Sequence, residues 1–147
     1  MIDIAKGIIM NIKVYYYSKG GNTKKLAEAV AEAVGVTAED VSVPLQEKAD
    51  VLFLGSSLYA GGYDPSVGEF ITKNADKIGT IVSFGSSASN LSTFKKVKAL
   101  AEEKGIAVYD ENYNCPGQFL FLHKNRPNQS DLEAAASFAK SACAKLQ

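Results

Sequence analysis

A three-layer α/β fold, with a parallel sheet between two layers of helices, is predicted by three observations. Apolar runs of strand length alternate with amphipathic helical stretches along almost the whole chain, the order that gives strand–helix–strand crossovers. Residues 51–55 form an unbroken apolar run, as a strand covered on both faces requires. The apolar and aromatic run 12–17 passes straight into a loop of glycine and hydroxyl residues, and a helix opens at once behind it. At 147 residues the chain makes one domain, residues 1–147, long enough to bury about two-thirds of its surface.

The elements follow in order. Residues 12–17 are the first strand and 22–34 the first helix, with a buried stripe of Leu26, Ala29, Val30 and Ala33; Gly35 stands where a helix-ending residue belongs. A short second strand is expected near 40–43, closed by Pro44, and the third covers 51–55. A long loop follows, and Pro65 then sits in the first turn of a helix burying Val67, Phe70 and Ile71. The fourth strand is 80–84; the helix after it runs to about residue 104 on Phe94, Val97, Leu100 and Ala101, and Gly105 ends it. The fifth strand starts at Ile106, and residues 119–122 read as a further strand segment. Ser130 and Glu133 have the spacing of a capping box for the last helix, whose stripe is Leu132, Ala135, Ala136, Ala139, Ala142, Cys143 and Leu146.

The chemistry concentrates in the first loop, Ser18-Lys19-Gly20-Gly21-Asn22-Thr23. Backbone N–H groups, two hydroxyls and a helix N-terminus converge there, the layout of a phosphate cradle. The positive end of the helix contributes about 0.3–2 kcal/mol to an anion placed on it. The loop lacks the Gly-Lys-Ser/Thr run of a triphosphate site and the third glycine of a dinucleotide fingerprint, and its size suits one terminal phosphate. From Val14 to Val30 the chain resembles the flavodoxin family position by position. Val14, Tyr15 and Tyr16 fill the apolar and aromatic strand positions, Ser18 and Thr23 are the hydroxyls, Gly21 is the small residue, and Ala27 and Val30 pack on the sheet.

The resemblance implies a flavodoxin-like α/β/α sandwich with a five-stranded parallel sheet in the order 2-1-3-4-5, of which flavodoxin is itself the standard example. It also implies FMN, its phosphate on residues 18–23 and its ring between two further loops at the carboxyl ends of the strands. One supplies Ser56, Ser57, Leu58 and Tyr59, with Tyr59 the first choice for stacking and Tyr63 the second. The other supplies Gly85, Ser86, Ser87 and Asn90, small residues that let the backbone approach the polar edge of the ring. No aromatic stands in that loop, so one ring face is left open unless Tyr113 or Phe119 folds over it. Lys19, if turned toward the phosphate, offsets part of its charge and raises the flavin potential.

Sixteen basic residues balance sixteen acidic ones, which gives no nucleic-acid footprint and no polybasic membrane patch. The balance also departs from the strong acidity of flavodoxins that shuttle electrons to basic partners. No apolar run is long enough for a membrane span, residues 1–9 do not read as a signal peptide, and a cytoplasmic address follows. Family chains usually begin at the first strand, so residues 1–9 are an extension and Met10 a candidate native start. Cys115 and Cys143 make no disulfide framework, there is no metal-ligand spacing, and the lone His123 reads as solvated. Acidic-pair receiver domains and cysteine phosphatases are set aside, since neither residue set stands after the first strand. The expected function is a monomeric electron carrier for a redox protein partner, favoured by short length and the lack of an evident general acid. The alternative is a small FMN-dependent reductase or dehydrogenase acting on a quinone- or tetrapyrrole-like substrate, favoured by neutral charge and an open flavin face. A flavin-free regulatory domain is a third class.

Overall fold

The computed structural model describes residues 2–3, 8–59 and 61–147, with side chains from residue 10 onward. Of the extension 1–9, only two short strands are described, β1 (Ile2–Asp3) and β2 (Ile8–Ile9), which pair antiparallel. The rest of the extension, like Ala60 of the second loop, lies outside the described residues. The main sheet contains β3 (Ile12–Tyr16), β4 (Ala38–Asp40), β5 (Ala49–Gly55), β6 (Ile78–Ser87), β7 (Ala107–Val108) and β8 (Tyr113–Pro116). Every pairing in it is parallel and the order is β4-β3-β5-β6-β7, with β8 also on β6. This is the expected order 2-1-3-4-5 with the fifth strand in two pieces. β7 pairs with Thr80 and Ile81, and β8 pairs with residues 84–87. Between them the polar run Asp110-Glu111-Asn112 leaves the ladder.

Strand alternation sends side chains to two separate cores. Ile12, Val14, Val51, Phe53, Val82 and Phe84 face α1 (Asn22–Val34) and α4 (Gln129–Leu146). Tyr15, Leu52, Leu54 and Ile81 face α2 (Pro65–Lys73) and α3 (Phe94–Glu103). α1 ends as expected at Gly35, at φ 78°, with Val36 N–H donating to the Ala31 carbonyl. Its buried stripe is Leu26, Ala27, Val30, Ala31 and Val34, a slight rotation from the predicted one; Ala29 and Ala33 are half-buried beside α4. In α3, Val97 and Ala101 are buried, and Phe94 and Leu100 only partly.

Several boundaries differ from the sequence reading. β4 ends at Asp40 because Val43 N–H turns back to the Asp40 carbonyl. β6 runs ten residues, through Ser87, because β8 supplies it with ladder partners beyond Phe84. Residues 119–122 form a tight turn, not a sheet strand: Phe119 and Leu122 exchange N–H···O bonds of 3.1 and 2.9 Å. α4 is capped by Asn128 and Asp131, two residues earlier than the Ser130/Glu133 pair predicted, since Asn128 Oδ1 accepts from Asp131 N and Asp131 Oδ2 from Asn128 N.

On β6, beside Leu54 of β5, the Ser83 hydroxyl is buried without a hydrogen-bond partner. An unpaired buried hydroxyl contributes a desolvation cost and nothing in return. Ser83→Ala is therefore expected to leave stability unchanged or raise it by about 1 kcal/mol. A fall of the urea midpoint in that variant would show that the hydroxyl is bonded in solution.

Candidate functional site

The first loop leaves β3 at the crossing point of the sheet, where neighbouring connections run to opposite sides. Gly21 is the N-cap of α1 at φ 95°, a conformation that needs glycine, and it offers no side chain to the orphan N–H groups of the first turn. Ser18 Oγ accepts from Gly21 N at 3.0 Å, which folds the loop back on itself and leaves the hydroxyl proton to be donated outward. A β-carbon placed on Gly20 or on Gly21 would meet no atom within 4 Å. Packing therefore does not demand their smallness. The Ser18 hydroxyl proton and the first-turn N–H groups of α1 are thus the donors that this loop offers to an anion. Asn22 leans sideways, its Nδ2 donating to the Gln118 carbonyl at 3.0 Å.

Thr23 does something the sequence did not disclose. It is fully buried, and its hydroxyl lies 2.7 Å from Ser57 Oγ and 3.0 Å from Ser86 Oγ. One side chain thus ties all three predicted loops together. Ser56 is also buried, with its Oγ 2.7 Å from Thr93 Oγ1 at the start of α3. The second and third loops are in this way anchored from below.

Above these anchors the second loop opens. Ser57 and Leu58 are half-buried, and Tyr59, 58% exposed, closes a tight turn with Gly62. Lys19 does not turn into the first loop: its Nζ stands 4.6 Å from the centre of the Tyr59 ring, a cation–π contact between two loops. Tyr63 packs by α2 and α3, against Gly68 and close to Leu100, away from the first loop.

In the third loop Gly85, Ser86 and Ser87 still belong to β6 and are buried or enclosed. Gly85 is small for a reason internal to the sheet, because a β-carbon there would lie 1.8 Å from the Ser56 carbonyl oxygen. Ser87 Oγ donates to the Leu91 carbonyl, and Asn90, at φ 55°, accepts at Oδ1 from Asn114 Nδ2 at 3.1 Å. Asn90 is exposed at the mouth.

A fourth loop, residues 117–127, borders the site, with little in its sequence to announce it. Gly117 N donates to the Ser87 carbonyl, and the His123 Nε2 ring nitrogen is 2.9 Å from the Ala88 carbonyl oxygen. Arg126 grips Asp131 through two bonds of 2.6 and 2.8 Å, which holds the Asp131 carboxyl below its usual range. Tyr113 is turned into the core, with its hydroxyl on the Asp131 carbonyl and its ring by Phe138; it does not cover the mouth. Burial pushes the Cys115 thiol up to about 11, so it stays protonated and inert at neutral pH. The usable signal for this loop was the spacing of Arg126, Asn128 and Asp131, a cation and a cap converging on one carboxylate.

Comparison with known proteins fits this geometry. The family model described as "Flavodoxin domain" matches residues 13–115. An uncharacterized protein of Methanocaldococcus jannaschii is 31% identical over 133 residues, 82% of this chain and 89% of its own. Among solved structures, a flavodoxin from the domain Archaea superposes with a TM-score of 0.78 at 21% identity, covering 93% of this chain and 99% of that one. A WrbA-like flavodoxin from Agrobacterium tumefaciens gives 0.72 at 20% identity, covering 94% and 98%. The match of the family model over most of the chain, on a sheet of the expected order with the expected loop at its crossing point, shows that this protein belongs to the flavodoxin family.

Proposed function

We propose that the protein binds one FMN non-covalently and passes electrons to or from a redox protein partner, as a cytoplasmic monomer. The observation that carries this is the set of donors at the start of α1. The Ser18 hydroxyl and the first-turn N–H groups stand beside open space at Gly20 and Gly21, with no carboxylate within residues 18–23. Those donors suit a phosphate monoester. FMN, when bound, supplies the reversible uptake of one or two electrons.

The chain's own residues would do the rest. Ser18, Lys19, Gly20, Gly21, Asn22 and Thr23 form the phosphate end: Ser18 donates its hydroxyl, the first-turn N–H groups orient the anion, and Thr23 holds the loop in register from beneath. Ser56, Ser57, Leu58 and Tyr59 form one wall for the ring, with Tyr59 the stacking side chain. Gly85, Ser86, Ser87 and Asn90 form the other, with Asn90 nearest solvent. The Lys19 ammonium lies over Tyr59 in this structure, so its charge stands at the wall and not at the phosphate end.

A second reading, a small FMN-dependent reductase for a quinone- or tetrapyrrole-like substrate, draws on one observation. Tyr59, Leu91 and Phe119 expose apolar surface on the loops at this end of the sheet, suited to a flat apolar substrate. No helix among the described residues is long and apolar enough to cross a membrane.

Equilibrium dialysis with FMN, followed by anaerobic reductive titration, tests both readings. FMN retained at one per chain, and bound about tenfold more weakly by Ser18→Ala, supports the site. Reduction in two resolved one-electron stages supports the carrier. A single two-electron bleach, with rapid turnover of a quinone, supports the reductase. Absence of FMN binding by the intact chain overturns both.

A further inference from the structure

Seven large hydrophobic residues are exposed among the described side chains: Val43, Tyr59, Leu91, Phe119, Leu120, Phe121 and Leu122. All follow the carboxyl ends of strands, on one end of the molecule. Four are consecutive, and the two at the tip, Leu120 and Phe121, are 73% and 76% exposed. Exposed apolar clusters of this kind mark interaction sites in soluble proteins. From these residues we infer that the tip at residues 119–122 docks the protein on the surface of an anionic lipid bilayer, with the mouth of the candidate site turned toward the membrane.

The tip is built to be presented. Phe119 and Leu122 exchange both backbone hydrogen bonds, and Gln118 Nε2 donates to the Leu120 carbonyl. Of the backbone polar groups that would resist entry into an apolar medium, those of Phe119 and Leu122 and the Leu120 carbonyl are thus bonded within the loop. The base is braced by Gln118 N on the Arg126 carbonyl, Asn125 N on Gln118 Oε1, Asn22 on the Gln118 carbonyl, and His123 on Ala88. Leu120 holds φ 56°, a left-handed conformation costly for a branched side chain, and what it achieves is a knuckle with its apolar side chains outward.

Shape and charge select the occupant. A stable protein partner generally needs a complementary face of about 800 Å² on each side, whereas a short convex knuckle finds its complement in a soft medium. Aromatic and leucine side chains on such a knuckle reach the headgroup–acyl boundary. Residues 116–130 carry Lys124, Arg126 and His123 and no carboxylate. Arg126 is committed to Asp131, while Lys124 is exposed beside the tip. Lys24 and Lys25 are exposed on α1, whose first residue, Asn22, bonds the base of the loop. Lys25 shares the groove between α1 and α4 with Glu28, Glu32 and Glu133, so the charge this corner offers to anionic headgroups rests on Lys124 and Lys24.

Flotation of the full chain with vesicles tests the inference without reference to FMN. The protein should float with vesicles of equal phosphatidylglycerol and phosphatidylcholine, and less with phosphatidylcholine alone. The double variant Leu120→Ser/Phe121→Ser should bind at least about tenfold more weakly, with an unchanged circular dichroism spectrum. Lys124→Glu should weaken binding about fivefold or more at low salt, with the difference shrinking at high salt. No flotation of the parent, or equal flotation of the double variant, overturns the inference. So does a parent dimer that the double variant dissociates while neither binds lipid, for the tip would then be a contact between copies.

Discussion

Gly85→Ala is expected to destabilise the protein by about 3 kcal/mol or more, the upper end of what overpacking costs. The new β-carbon would stand 1.8 Å from the Ser56 carbonyl oxygen and 3.0 Å from its carbon. Both are backbone atoms, so no side-chain rotation relieves the clash. The next strand is held close by Ser56 N donating to the Phe84 carbonyl at 3.0 Å, so β5 and β6 must part where they deliver two of the site's loops. Urea unfolding measures the loss, and soluble yield gives a second readout. Gly20→Ala supplies the contrast. Its β-carbon meets nothing within 4 Å, so its stability should change by less than about 1 kcal/mol and any effect should fall on FMN binding. A Gly85→Ala protein with the parental midpoint would show that the two strands are further apart in solution.

The second large effect is expected at Asp131. Its carboxylate accepts from Arg126 Nε, Arg126 Nη2 and Asn128 N, and its side chain is 10% exposed. Asp131→Ala leaves the guanidinium without its partner and removes half of the α4 capping box, a combined loss of about 3 kcal/mol at neutral pH. The pH dependence has a definite sign. Arg126, by hydrogen bond and charge, lowers the carboxyl below its unfolded value, and burial only partly opposes this. The stabilisation is therefore complete above the unfolded pKa, about 3.9, and is lost as pH falls through the lower folded value. Denaturant midpoints of parent and Asp131→Asn should differ most at neutral pH and converge in strong acid. A gap that is constant from pH 7 to about pH 2 would mean that the pair contributes packing, not charge.

The alternation of strands and helices and the first loop were legible because both depend on local pattern, whereas the sheet order followed only from the family resemblance. Residues 51–55 are apolar throughout because the strand is covered on both sides, and the hydroxyls and glycines of 18–23 must be contiguous to surround one anion. The capping pair of α4 was readable too, but Ser130 and Glu133 imitate it two residues later, and only the tie of Asp131 to Arg126 decides between them. What could not be read was long-range. Thr23 meets Ser57 and Ser86 across 34 and 63 residues, and nothing near Thr23 announces either partner. Gly85 looked like a ligand-side glycine because the carbonyl it makes room for belongs to Ser56, a distant part of the chain. Residues 119–122 have the composition of a strand, yet their turn is set by Gln118 and Asn125 at its base.

The Ser57–Thr23–Ser86 contact has a consequence of its own. Each hydroxyl carries one proton and can either give or receive, so this short relay has two senses of polarity, interconverted by spinning O–H bonds with every heavy atom at rest. A change of charge beside it can be answered by turning dipoles already in place, without shifting the loops those residues anchor. An environment that re-polarises without rebuilding itself is the kind in which charge can come and go quickly.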